Sequence, residues 1–276
     1  MKRNLLLLLI ILLITGIQSK AQGDLLVTPT RVVFEGNKQK EALYLVNTGK
    51  DTATYSISFL QYNMKEDGSF MIIEKPDSGQ LFANPYLRIF PRQVTLAPRE
   101  PQVIMLQCRR NADMLPGEYR SHIYFRAEKD YKPLGIKNTD KKTTQVSVQI
   151  TPVFGISIPI IIRSGVVNVS TTLSNIKLET QQDTVNYLRL TLNRSGNSSV
   201  YGNLSIEYFP VKGKPYEIGK VNGMSVYTNT NKRNILIRLN KTPGLTYKDG
   251  KLKIRYTSPD EEKHVVYAEG ELDIRQ

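Results

Sequence analysis

Cysteine occurs once in the 276 residues, at position 108, histidine twice and tryptophan nowhere. A single thiol excludes an internal disulfide framework and a cysteine-based zinc cluster. The two histidines, His122 and His264, stand far apart, and no HExxH or comparable spacing gathers metal ligands or an imidazole base. No nucleophile elbow, phosphate-binding glycine loop or pair of carboxylates in a supporting context occurs either. The sequence therefore offers no catalytic residue, no metal ligand and no cofactor site, and an enzyme is the weaker reading. Acidic residues are also few: 25 Asp and Glu stand against 38 Lys and Arg, a formal charge of +13. The basic residues are spread along the chain without a Lys/Arg block, which argues against nucleic acid and for a solvated basic surface or an acidic partner.

What is present begins with a leader. Lys2 and Arg3 precede an unbroken apolar run over 5–14, and Ser19 and Ala21 put small residues at the −3 and −1 positions of a cleavage site. This is the pattern of a secretory signal peptide, residues 1–21, cut after Ala21. An uncleaved anchor is the alternative, but the run is shorter than the roughly 20 residues a spanning helix needs. No cysteine follows the run, so a lipid anchor has no attachment site. Cys108 is in phase with Ile104 and Leu106 on an alternating strand, which predicts a buried, inert thiol in an oxidising compartment.

From Leu25 onward the hydrophobic period is two. Leu43 and Leu45, then Tyr55, Ile57 and Phe59, then Ile104 and Leu106, then Tyr119, Ser121, Ile123 and Phe125 each mark one face of a short segment. Turn signals separate them at Asn47-Thr48-Gly49, Asp67-Gly68, Pro91, Pro98 and Pro116-Gly117. About seven short strands at such spacing, without helical periodicity, predict an antiparallel sandwich over residues 22–162. A second sandwich is predicted over 163–276, with strands at 166–169, 187–192, 204–208, 235–239, 252–256 and 264–268. Its turns are expected at Ser195-Gly196-Asn197, Asn222-Gly223, Pro243-Gly244 and Asp249-Gly250. His122, flanked by Arg120 and Tyr124 on the more polar side of its strand, is expected to face solvent.

Two stretches break this pattern. Residues 128–142 (EKDYKPLGIKNTDKK) are charged and punctuated by Pro and Gly, which predicts a loop. In the following segment Val146, Val148 and Ile150 alternate with Gln145, Ser147 and Gln149 up to Pro152. Proline cannot donate to a ladder, so this strand belongs at a sheet edge or holds a bulge. An alternating edge strand beside a long loop is a place where another chain can add a strand.

The order and spacing of several short segments between 25 and 163 resemble the periplasmic chaperones of pilus and fimbria assembly, the PapD-type family. Thr30-Arg31-Val32-Val33-Phe34-Glu35-Gly36 looks like the family's first strand, and Leu43-Tyr-Leu-Val-Asn47-Thr-Gly49 is similar to its second strand and the turn after it. Arg88-Ile-Phe-Pro91, Leu96-Ala-Pro98 and Gln102-Val-Ile104 follow the spacing of its central segment. Leu115-Pro-Gly-Glu-Tyr-Arg-Ser121 sits where the family has an acidic and basic pair ahead of its sixth strand.

The resemblance implies an all-β protein of two consecutive immunoglobulin-like β-sandwich domains set as a boomerang. It implies a non-enzymatic periplasmic chaperone that completes an exported, pilin-like or other surface subunit by donor-strand complementation, with Val146, Val148 and Ile150 as the donated run. It further implies a cleft in which a basic pair anchors the client's terminal carboxylate. Arg31 matches the first member; the second, normally a Lys near the end of the seventh strand, falls at Pro159, which leaves Arg163 as the candidate substitute. An outer-membrane assembly protein and self-association through the edge strand are the further partners the family suggests. The rival reading is a structural or adhesive two-domain envelope protein whose edge strand is permanently covered.

Overall fold

A computed structural model describes residues 25–128, 154–181, 185–240, 247, 249–259 and 265–275. Among them all regular structure is β-strand apart from one turn of 3-10 helix at Asn84–Tyr86. The first half contributes β1 Leu25–Thr28, β2 Val32–Phe34, β3 Lys40–Asn47, β4 Ala53–Leu60, β5 Tyr62–Met64, β6 Phe70–Ile72, β7 Leu87–Phe90, β8 Gln93–Leu96, β9 Pro101–Cys108, β10 Gly117–Glu128 and β11 Gly155–Ser164. They form a sheet ordered β1-β3-β9-β7, a second ordered β2-β11-β10-β4-β8, and a β5-β6 hairpin.

The period-two pattern is the cause of this arrangement. Leu43 and Leu45 from β3, Ile104 and Leu106 from β9, and Ile123 and Phe125 from β10 all lie fully buried in one core. Each such side chain contributes about 1.5–3 kcal/mol by leaving water. Cys108 continues the β9 row into the same core, and burial pushes its thiol up, as expected of an inert cysteine. Between β1 and β2 the chain changes sheets at Pro29, so Leu25 and Val27 enter the core from one side and Val32 and Phe34 from the other. The predicted turn at Asn47 is held by its buried side chain: Oδ1 accepts from Gly49 N (2.9 Å), and Nδ2 donates to the carbonyls of Asp51 (2.8 Å) and Leu96 (2.9 Å).

The second half contributes β12 Val169–Gln181, β13 Val185–Gly196, β14 Val200–Pro210, β15 Tyr216–Val226, β16 Lys232–Arg238, β17 Asp249–Thr257 and β18 Val266–Arg275. Sheets β12-β13-β16 and β15-β14-β17-β18 share a separate core that includes Leu188, Leu190, Leu204, Ile206, Leu252 and Ile254. Three expectations are corrected here. The strand placed at 166–169 starts only at Val169, because Gly165 takes φ +60° and Val166 is left exposed. Asn222-Gly223 is not a turn but lies inside β15, where a register shift against β14 forms a bulge and Gly223 adopts φ +70°. The last strand begins at Val266 and runs to Arg275, longer than the alternation suggested. The fold is all-β: two consecutive immunoglobulin-like sandwiches. Among the described residues no helix is long and apolar enough to cross a membrane.

Candidate functional site

Strand β11 is unevenly covered. It pairs antiparallel with β10 along its whole length, from Gly155 opposite Arg126 to Ser164 opposite Gly117. On its other side β2 pairs with it, in parallel, only at Ile160, Ile161 and Ile162. Among the described residues no strand pairs with the outer edge of 155–159, so its outward backbone N–H and C=O groups have no ladder partner among them. Ile156, Ile158, Ile160 and Ile162 pack into the first core. The opposite face carries Ser157, Pro159, Ile161 and Arg163, aligned with Tyr124, His122, Arg120 and Glu118 of β10.

That face meets the second sandwich. The Glu118 carboxylate accepts from the Ser199 amide (3.1 Å) and hydroxyl (2.8 Å). Arg120 Nη2 donates to Glu118 (2.7 Å) and to Ser199 Oγ (2.7 Å), and the guanidinium lies over the Tyr227 ring at 3.8 Å. His122 Nε2 shares a hydrogen bond of 3.1 Å with the Tyr227 hydroxyl. Arg163 pairs with Glu35 at 3.1 Å and stands 3.9 Å from Glu118. Arg31, just ahead of β2, sits 4.4 Å over the Tyr201 ring and makes no ion pair among the described residues.

The electrostatics follow from burial. Desolvation and the nearby Arg120 push the Arg31 guanidinium down to about 10, so it stays charged at neutral pH. Burial alone would raise the Glu118 carboxyl. Arg120 and the hydrogen bonds from Ser199 and Arg120 outweigh that and hold it below the usual carboxylate range. His122 is pushed down to about 3 by burial, then by Arg120 and Arg31. The expectation that His122 faces solvent is therefore wrong: it is 5% exposed, because the second sandwich covers that strand face.

Two devices support the contact between the sandwiches, one from within the second and one across them. The first is Arg194 of β13, whose guanidinium donates to the carbonyls of Thr230 (3.0 Å), Gly196 (2.8 Å), Ser198 (2.9 Å) and Thr228 (3.1 Å) and to Asn231 Oδ1 (3.1 Å). It thereby fixes the two loops that present Ser199 and Tyr227. Arg194→Lys keeps the charge but not the planar five-donor fork, and is expected to cost about 2–4 kcal/mol through orphaned carbonyls, read as a lower urea midpoint. The second is the β5-β6 hairpin of the first sandwich. Asn229 Nδ2 donates to Asn63 Oδ1 (2.9 Å) and the Met64 carbonyl (2.8 Å), Asn234 N donates to the Glu66 carbonyl (2.7 Å), and the Phe70 ring packs at a tilt against Tyr227, centroids 5.4 Å apart.

Of the residues singled out in the sequence, Arg31 and Arg163 are brought close enough to influence one another, and the Glu118 carboxylate acts on both. Val146, Val148 and Ile150 lie outside the described residues, as does most of 128–142. The acidic and basic pair noted by resemblance is Glu118 and Arg120, inside β10 rather than ahead of it. Sequence reasoning missed His122, Ser199 and Tyr227. The signal available was Glu118, Arg120 and His122 at alternate positions, three ionisable side chains on one strand face. Among the described residues no group of His, Cys, Asp or Glu gathers as a metal site.

No family model matches the sequence, and no curated protein does. Solved structures do. One is the YadV chaperone, at 11% identity and TM-score 0.45, over 91% of this chain and 100% of that one. Another is the CsuC–CsuE chaperone–tip adhesion subunit pre-assembly complex of archaic Csu pili from Acinetobacter baumannii, at 14% identity and TM-score 0.46, over 92% of this chain and 99% of that one. A third is the Salmonella enterica SafA pilin in complex with the SafB chaperone, at 14% identity and TM-score 0.42, over 92% and 97%. The likeness is one of fold.

Proposed function

We propose that this chain is a divergent, non-enzymatic periplasmic chaperone of the PapD-like kind, binding exported pilin-like or other surface subunits by strand addition. The observation that carries the reading is the half-covered β11: among the described residues no strand pairs with its outer edge over 155–159, and nearby the half-buried guanidinium of Arg31 makes no ion pair with any described carboxylate. A client strand laid along this edge gains backbone hydrogen bonds. The run Val146, Val148 and Ile150, immediately ahead in sequence, supplies the side chains that fill the client's groove, each worth roughly 1.5–3 kcal/mol before ordering costs. Arg31 is the carboxylate anchor. Arg163, already engaged by Glu35 and approached by Glu118, takes a secondary part in that anchoring. Pro159 explains why no Lys serves there. Docking to an outer-membrane assembly protein and self-association of the idle chaperone through the same edge belong to this reading.

The test is affinity purification of the tagged mature protein from its native envelope, wild type beside Val148→Asp and Arg31→Ala, with mass spectrometry of what co-elutes and a melting curve for each. A defined exported protein should be retained by wild type and lost from both variants, with melting temperatures near wild type. For Arg31→Ala a loss of about 10- to 100-fold in affinity corresponds to one charge-assisted contact of roughly 1.5–3 kcal/mol. If Val148→Asp instead unfolds the first sandwich, that strand is core, and the structural or adhesive reading replaces the chaperone.

A further inference from the structure

Tyr201 takes no part in the core of the second sandwich. It stands between buried Val200 and Gly202 on β14, so its side chain leaves the strand on the opposite face. Its ring carries the guanidinium of Arg31, a residue of the first sandwich, 4.4 Å from the ring centre. The neighbouring strand makes room for that ring. The register shift between β14 and β15 brings Gly223 alongside it at φ +70°, and a β-carbon there would stand 3.1 Å from the Tyr201 hydroxyl. Asn203 Oδ1 accepts from Gly223 N (3.0 Å) and holds the bulge in place. The Asn-Gly inside β15 thus clears the place of a tyrosine that meets a cation from the other sandwich.

No opposite charge holds Arg31 where it is. Among the described residues it makes no ion pair and no hydrogen bond, and Arg120 and Arg163 both act against its charge. Glu118 acts in its favour, but that carboxylate is engaged by Arg120 and Ser199. A long side chain without such a partner keeps its rotamer freedom unless something else orders it. An aromatic face does so without using the donors, because the five N–H groups of a guanidinium lie in its plane and stacking engages only its face. Among the described residues no Arg31 nitrogen is an enclosed atom lacking a partner, so the fork stays open to solvent.

We infer that Tyr201 is the positioning residue for Arg31: the second sandwich supplies a platform that orders the guanidinium of the first and leaves its fork free for a carboxylate. Gly223 keeps the platform clear. The inference rests on Arg31 as the client anchor proposed above, and adds that the anchor is assembled from both sandwiches.

The test uses the mature chain with 15N-labelled arginine and sodium acetate as the carboxylate, titrated against sodium chloride at equal ionic strength. The Arg31 Nε–Hε resonance is assigned by its loss in Arg31→Ala. In wild type and Tyr201→Phe it should carry an upfield ring-current shift and move with acetate at the same midpoint. In Tyr201→Leu the ring-current shift should vanish and the midpoint should rise about 3- to 30-fold, the range of a cation–π contact. Melting temperatures of both variants should stay within about 2 °C of wild type, since the ring lies outside the core, which separates positioning from packing. Gly223→Ala crowds the ring and should behave as Tyr201→Leu does; where it fails to fold, the two Tyr201 variants decide. No movement with acetate in wild type, or equal midpoints in wild type and Tyr201→Leu, overturns the inference. An exported protein retained undiminished by Tyr201→Leu but lost from Arg31→Ala overturns it too, and leaves the chaperone reading standing. If the acetate results are as expected while envelope capture is indifferent to Arg31→Ala, the platform stands and the chaperone reading falls.

Discussion

Glu118→Ala is expected to lower the free energy of unfolding at pH 7 by about 3–5 kcal/mol, the cost of breaking a buried ion pair from one side. The carboxylate is 1% exposed and answers Arg120, Ser199 and, at longer range, Arg163. Removing it leaves the buried Arg120 without an opposing charge and strips the Ser199 amide of its acceptor. Urea unfolding monitored by tyrosine fluorescence gives the number. Glu118→Gln should fall between, since an amide oxygen still accepts from Ser199 but brings no charge. The double variant Glu118→Ala/Arg120→Met should recover part of the loss, because the uncompensated cation goes with its partner. A loss below about 1 kcal/mol would mean that water reaches Arg120 and that the contact between the sandwiches is looser than described. The pH dependence of this contribution has a definite sign. The folded carboxyl is depressed, so its stabilisation is complete above the unfolded value near 4.5 and disappears as pH falls through the folded one.

His122 produces a second acid-side effect, at higher pH. Its folded value of about 3 lies below the ordinary 6.5, so between them the unfolded chain binds a proton that the folded chain refuses. Stability should therefore fall with pH by about 1.4 kcal/mol per unit below 6.5, and on the order of 5 kcal/mol over the whole window. Urea midpoints at pH 7.5, 6.5, 5.5 and 5.0 should decline for wild type and stay flat for His122→Gln. His264 is present in both proteins and cancels from the comparison. That range lies above the carboxylate titration, so Glu118 does not confuse it. Equal slopes for the two proteins would show that His122 takes up its proton in the folded state, with solvent beside it.

The two sandwiches were legible because alternation is a local property. Leu43, Leu45, Ile104, Leu106, Ile123 and Phe125 announce their burial within their own strands, and Asn47 announces its turn. The long β12 was missed because its residues, Val169-Ser-Thr-Thr-Leu173 onward, alternate only weakly, and the bulge in β15 put a turn-like Asn-Gly inside a strand. Arg31 and Arg163 were singled out only by resemblance, as candidates for a basic pair, and no local pattern marks them. His122 was misread for a different reason: its strand face is polar, and a polar face reads as solvated unless one knows that a second domain lands on it. Ser199 and Tyr227 carry no local signal, since their role exists only once Arg194 has gathered the loops around them.

The β5-β6 hairpin has a consequence for recognition. Because Asn229 and Asn234 grip a segment that is continuous with the first sandwich, the two bodies are tied by the Asn229 side-chain amide and one backbone hydrogen bond from Asn234, whether or not anything lies between them. A guest then meets a groove of fixed width. The rotational freedom of the sandwiches is surrendered once, during folding, and is not charged again to each encounter. On the chaperone reading proposed above, recognition of this kind selects by fit to a preformed template, so a client whose own groove is already open reaches the edge of β11 fastest.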